Sequence, residues 1–169
     1  MATLLIGSLL GRYWARLDGR ESRQESTRAI TVAALPLLDD LHDARKRFRE
    51  DNALGDVAAR QYFERRVLVM RSDDLADFQE RSRATFSYNQ KLCTKLREVS
   101  IELRRVESKH ASVQELLPFP TRWSVERTPY LTLLEGAVVS MRACINLLAK
   151  YASRDTQRAI REHHAMRDH

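Results

Sequence analysis

Between Val57 and Leu117 the chain runs for 61 residues without a glycine or a proline. Sheet architectures turn roughly every eight to twelve residues and draw on those two residue types to do it. A stretch this long without either has to travel in helices. The remainder is sparse as well, with five Gly and four Pro in 169 residues. That length suits one domain with a core of its own. Apolar residues at 43% are too many for a disordered chain, and charged residues at 31% supply a solvated outer face.

The apolar periodicity agrees. Leu92, Leu96, Val99, Leu103, Val106, His110, Val113 and Leu117 alternate steps of four and three. That is the seam of a helix that packs on other helices. Continued backwards it meets Leu75, Phe78, Ser82, Phe86 and Asn89. One helix from Asp73 to Leu116 would measure about 65 Å. A compact bundle of this size does not hold such a rod, so the segment protrudes or breaks near Ser82.

Other boundaries are read from capping chemistry. Asp18-Gly19 interrupts the first segment, and Ser22-Arg-Gln-Glu25 has the form of a capping box. A helix follows to about Arg49, with Ala34, Leu37, Leu41, Ala44 and Phe48 on one face and a kink expected at Pro36. Asn52 to Gly55 breaks the chain, and Asp56 is placed to cap a helix bearing Ala59, Phe63, Val67 and Met70. Ser72 is placed to cap the next, with Asp73 and Asp74 in the first turn where the helix dipole favours them. Pro118 and Pro120 end the long seam, and Phe119 and Trp123 are expected to pin the following loop. Thr128-Pro129 then opens a final helix. Its stripes, Leu131 to Ala152 and Leu133 to Tyr151, leave only Glu135, Arg142, Asn146 and Lys150 polar, so the other helices should surround it.

These signals predict an all-α domain, a four-helix bundle with long antiparallel helices and an additional N-terminal helical segment. Residues 1–17 are the apolar N-terminal segment, 18–153 the bundle, and 154–169 a polar tail that frays or forms a short helix.

The first residues, MATLLIGSLLGRYWARL, bear on function. The uncharged run from Ala2 to Leu10 would be about 14 Å long as a helix, under half of a bilayer's roughly 30 Å hydrocarbon core. No basic residues precede it and no small-x-small cleavage site precedes Arg12, so a signal peptide does not fit. Three placements follow. Leu4, Leu5, Leu9, Leu10, Tyr13 and Trp14 pack on the bundle or on a second subunit. Or the segment lies on a membrane, with Tyr13 and Trp14 at headgroup depth and Arg12, Arg16, Arg20 and Arg23 against anionic lipid. Or it is the stub of a longer membrane helix, for which Gly7-Ser-Leu-Leu-Gly11 supplies a GxxxG pattern.

Charge is uneven. The net charge is +6, and residues 81–109 hold eight basic and three acidic side chains, against four and seven in residues 51–80. The basic stretch could bind nucleic acid. The interleaved Glu98, Glu102 and Glu107, and the scarcity of aromatics beyond Phe86 and Tyr88, favour a solvated helix face. Cys93 and Cys144 form no CxxC pair and fall within apolar helical patterns, which suits reduced core thiols in a cytoplasmic protein.

Motifs for chemistry are few. No glycine-rich phosphate loop, GxSxG, HExxH or paired cysteines occur, so no cofactor is expected. His110 takes a seam position otherwise filled by Leu and Val, where a partly buried His bonded to a carbonyl or carboxylate is the simple account. Glu107-x-x-His110, Asp39-x-x-His42 and Glu135 suggest a carboxylate–histidine metal bundle, although a fourth acid is missing and Glu107 flanks the seam. Glu135 and Arg142, two turns apart, suit an ion pair or a helix-register device. Arg105-Val-Glu-Ser-Lys-His110 has an Arg-x4-His spacing that resembles the ribonuclease motif of HEPN domains, and Arg158 to His163 repeats it. The resemblance implies an all-α fold in which Arg105 and His110 act on an RNA 2′-hydroxyl and phosphate at a dimer interface. Val106 and Ala159 depart from the polar residue that usually follows the Arg.

The balance favours a non-enzymatic helical interaction or assembly module. Its partner would be another protein or a second copy of itself, and it is held peripherally at the cytoplasmic face of a membrane by its first turns. Leu5, Leu9, Tyr13 and Trp14 are the expected contact patch, flanked by Arg12 and Arg16. A small all-α ribonuclease or nucleic-acid-binding protein using Arg105 and His110 is the alternative, and a metal-binding bundle the second alternative.

Overall fold

A computed structural model describes the backbone of residues 2–65, 70, 72–84 and 90–167, and their side chains apart from 2–18, 72, 84, 120, 123, 124, 166 and 167. The chain is all-α. Its described elements are α1 (Ala2–Ala53), α2 (Asp56–Glu64), α3 (Ser72–Ala84), α4 (Gln90–Leu116), α5 (Pro120–Ala149) and α6 (Arg154–Arg167). No strand occurs among the described residues.

α1 is longer than the capping signals imply. It passes through Gly19 and the Ser22–Glu25 box without interruption. A capping box matters where a helix begins, because the first N–H groups have no acceptor. Inside a running helix the preceding turn already supplies those acceptors, and one Gly costs only about 1 kcal/mol relative to Ala. Pro36 is also accommodated within α1. It removes the donor to the Val32 carbonyl, and both residues are exposed, so water can take that bond.

Among the described side chains of α1, burial begins at Thr27, whose hydroxyl donates to the Arg23 carbonyl, while Thr31 donates to the Thr27 carbonyl, each at 2.8 Å. From there the inner face carries Ile30, Ala34, Leu37, Leu38, Leu41 and Phe48. It packs on α5, α3 and α2, and α5 packs on α4. The α4 seam is buried from Leu92 to Val113, His110 included. α5 supplies Tyr130, Leu134, Val138, Met141, Cys144, Ile145 and Leu148. At about 1.5–3 kcal/mol for each large apolar side chain removed from water, these helices hold the fold together.

The long pattern from Leu75 to Leu117 divides into two elements, α3 and α4, with Ser82 buried near the end of α3. Its weaker positions Phe86 and Asn89, and Val67 before it, lie outside the described residues. α2 begins with Gly55 rather than Asp56 at the N-cap; Gly55 has φ +108° and ψ −176°, a region for glycine alone. Asp56 moves one place inside, where its charge still meets the helix dipole. α5 starts nine residues earlier than Thr128-Pro129 suggests. Phe119 is extended, as a residue before proline prefers, and Pro120 takes the first helical position. Pro129 then lies inside α5, and the Val125 carbonyl it leaves without a donor is on an exposed turn. Phe119 does not pin this corner: it is 51% exposed, with the Arg122 guanidinium 5.5 Å over its ring.

Nor is α5 surrounded. Thr132, Gly136, Val139, Ala143 and Asn146 form an exposed outer strip. Val125–Ala149 is nonetheless long and apolar enough to cross a membrane, with 39% of an apolar 18-residue stretch within it buried in the fold. The C-terminal residues do not fray as a tail. Ser153 takes the Thr156 amide proton at the start of α6, and Thr156 and Ile160 are buried.

Candidate functional site

The polar chemistry of the core centres on His110. In a leucine seam an imidazole must find hydrogen-bond partners or lose them at a cost of about 1–3 kcal/mol per group. Here its Nδ1 lies 3.0 Å from the Tyr130 hydroxyl of α5, and that hydroxyl lies 3.0 Å from the Tyr62 hydroxyl of α2. The partner is therefore a phenol, not the carbonyl or carboxylate expected from the sequence. Phe48 and Phe63 complete the cluster, their rings packing edge-on or tilted on the two tyrosines at centroid distances of 5.1 to 5.4 Å. Gln114, one turn beyond His110, donates to the Phe63 carbonyl at the end of α2. Four elements, α1, α2, α4 and α5, thus meet at one histidine and two phenols.

Tyr130 is fully buried and Tyr62 nearly so. Burial pushes both phenols above their ordinary range; the Tyr62 hydroxyl raises Tyr130 further, while the bond from Tyr130 partly offsets the rise at Tyr62. At neutral pH both are uncharged. Surface clefts lie on either side of the cluster, one of about 310 Å³ bordered by Arg47, Glu50, Asp51, Tyr62 and Arg65, and one of about 510 Å³ bordered by Phe63, Gln114 and Leu117. The chemistry of the Tyr62–Tyr130–His110 chain is that of a buried polar lock which ties together the helices that meet there.

The other marked residues separate. Arg105 is exposed on α4 while His110 faces the core, so the structure does not bring this pair together. Asp39 and His42 turn to different partners: Asp39 meets His163 of α6 at 3.0 Å, and the His42 ring bonds Arg45 at 3.2 Å. Glu107 is half-buried on α4, and its carboxyl is raised by desolvation, with Arg104 opposing. Glu135 takes its ion pair from Arg49 of α1, across the helices instead of along α5 to Arg142. Arg45, Arg49 and Arg142 stand close enough around Glu135 that burial first, and then the two neighbouring arginines, lower the Arg45 guanidinium. Among the described residues no group of three or more His, Cys, Asp or Glu is placed to hold a metal ion. Leu5, Leu9, Arg12, Tyr13, Trp14 and Arg16 lie on α1, but their side chains are outside the described residues.

Sequence reasoning overlooked Tyr62 and Tyr130. A signal was present for Tyr130, which is the next step back along the stripe Leu134, Val138, Met141, Ile145 and Leu148. A polar residue in one seam asks for a polar residue in the facing one. Tyr62 had only its adjacency to Phe63 to mark it. Comparison with protein-family models, with curated proteins and with solved structures gives no match to this chain.

Proposed function

We propose that this protein is a non-enzymatic helical interaction and assembly module, attached through the first turns of α1. The observation that carries this reading is where burial begins along α1. The helix spans 52 residues, about 77 Å, and among its described side chains, which start at Gly19, the first buried one is Thr27. About 37 Å of helix precedes that point, and the most apolar run of the helix, Leu4 to Leu10, lies at its far end. An apolar run that far along the helix from its described buried face calls for another surface to cover it. Leu5, Leu9 and Tyr13 recur every four residues, with Trp14 beside them and Arg12 and Arg16 flanking. That pattern suits a protein partner, a second copy, or the cytoplasmic face of a membrane with anionic lipid.

The body behind this arm reads as a four-helix bundle of α1, α3, α4 and α5 with antiparallel neighbours. Ion pairs between its helices support that arrangement: Lys109 with Glu126 just across the α4–α5 corner, and Arg49 with Glu135 between α1 and α5. The enclosed Tyr62–Tyr130–His110 chain supports a scaffold role over a catalytic one.

The test compares the full chain with one lacking residues 1–17, by sedimentation and by flotation with liposomes containing anionic lipid. The full chain should self-associate or float, and high salt should not abolish the apolar part of that binding. The shortened chain should remain folded, monomeric and at the bottom of the gradient. Identical behaviour of the two chains, neither associating nor floating, would refute the proposal.

A further inference from the structure

Between α3 and α4 lies a half-open cleft of about 360 Å³, lined by Gln79, Ser82 and Arg83 from α3 and by Arg97, Ser100, Ile101 and Arg104 from α4. Three of its walls are guanidinium groups and none is a carboxylate. Five other arginines are matched with acids: Arg49 with Glu135, Arg60 with Glu64, Arg81 with Asp77, Arg127 with Asp56 and Arg158 with Glu162. Arg83 and Arg97 make no ion pair with any described residue, and nor does Arg104. Arg104 instead donates to the Gln79 side-chain carbonyl at 2.8 Å. A neutral amide orients that guanidinium without cancelling its charge, and leaves the Gln79 amide N–H groups as further donors.

Three nearby acids are committed elsewhere or stand to one side. Glu98 pairs with Lys95, Asp77 with Arg81, and Glu107 feels Arg104 from one turn further along α4. Like charges that converge on one opening repel, and an anion between them removes that repulsion. Guanidinium forks match phosphoryl oxygens two at a time. Arg97 and Arg104 are two turns apart, about 10 Å along α4, and Arg83 approaches from α3. That spread is wider than one phosphate needs and suits two or three linked phosphoryl groups, with the Ser100 hydroxyl as an added donor.

We propose that the α3–α4 cleft is a binding site for a compact anion carrying two or more phosphoryl groups, held by Arg83, Arg97 and Arg104. Such groups occur on free oligophosphates and on phosphorylated lipid headgroups, and the cleft recognises what they share. The site does not depend on residues 1–17, so it can hold or fail separately from the attachment proposed for α1.

Inorganic tripolyphosphate is titrated into the full chain by calorimetry, at low salt and again with added sodium chloride. Saturable binding is expected, weakening steeply as salt rises. Arg97→Gln and Arg104→Gln should each reduce affinity about tenfold, and the double variant should abolish it. Arg158→Gln, on α6, should bind as the parent does. Circular dichroism melts of each variant establish that the fold is retained, which exposed arginines allow. Vesicles carrying a bisphosphorylated inositol lipid form the second arm. Vesicle binding that is lost in the double variant assigns the source to a headgroup. Tripolyphosphate binding without vesicle binding assigns it to a free anion. Absence of binding at millimolar tripolyphosphate, equal binding by the folded double variant, or stronger binding to single-stranded DNA at equal phosphate would each overturn the proposal.

Discussion

Replacing Tyr130 by Phe removes one oxygen from the centre of the fold and leaves the ring packing in place. That oxygen makes two buried hydrogen bonds, to Tyr62 and to His110, both at 3.0 Å. Each is worth about 1 kcal/mol net, and each partner left unsatisfied adds a desolvation cost of about 1–3 kcal/mol. Partial relaxation limits the total, so Tyr130→Phe should destabilise the protein by about 2–4 kcal/mol. For a chain of this length that corresponds to a fall in Tm of roughly 5–15 °C. Tyr62→Phe breaks only one of the bonds and leaves Tyr130 bonded to His110, so it should cost about 1 kcal/mol. The double variant should cost less than the sum of the two, because the Tyr62–Tyr130 bond is then counted once. Urea unfolding followed at 222 nm measures all three. A Tyr130→Phe variant no less stable than Tyr62→Phe, or strict additivity in the double variant, would refute the reasoning that this hydroxyl joins two partners.

Other consequences are smaller. Gly136 lies within α5 with open space where a Cβ would go, so Gly136→Ala should stabilise by up to about 1 kcal/mol, whereas Gly55→Ala, at φ +108°, should destabilise by about 1–3 kcal/mol; paired urea melts separate the two signs. Burial pushes the Cys144 thiol up to about 12. At pH 8 its thiolate fraction is then about 10³-fold below that of a free cysteine, so a disulfide reagent should modify it only after denaturation. The Glu107 carboxyl is raised in the folded state, chiefly by desolvation. The folded protein therefore holds that proton more tightly than the unfolded chain does. The resulting penalty is present above the folded pKa and is relieved as pH falls through it towards the unfolded value. Glu107→Gln should raise the urea midpoint at pH 7, and the gain should vanish in acid.

The sequence was most legible where apolar spacing was regular. Leu92, Leu96, Val99, Leu103, Val106 and Val113 all reach the core, as do Leu37, Leu41, Phe48, Leu134, Val138, Met141 and Ile145, because a repeat near 3.5 residues admits only one burial pattern on a helix. Boundaries were read less well. The Ser22–Glu25 and Thr128-Pro129 signals are genuine capping chemistry, yet a cap is needed only where a helix has no preceding turn, and both fall inside running helices. α6 was undervalued because its polar composition conceals three inward residues, Thr156, Ile160 and His163, the last reaching Asp39 over 124 positions. The His110 environment was partly legible: burial followed from the seam, but its phenolic partners required knowing which residues α2 and α5 place opposite. The cleft between α3 and α4 was visible only as a basic stretch, since the absence of carboxylates from its walls depends on how two helices face each other.

The proposed attachment requires the first turns of α1 to lie outside the core, whose described part along this helix begins at Thr27. The most direct measurement is the unfolding free energy of the chain lacking residues 1–17, compared with the full chain at a dilution where both are monomeric. Loss of those residues should change stability by less than about 0.5 kcal/mol, as for sites outside a core, while Leu37→Ala in the buried half of the same helix should cost about 2–5 kcal/mol. A truncated chain destabilised by several kcal/mol would place the first turns of α1 in the core and contradict the account.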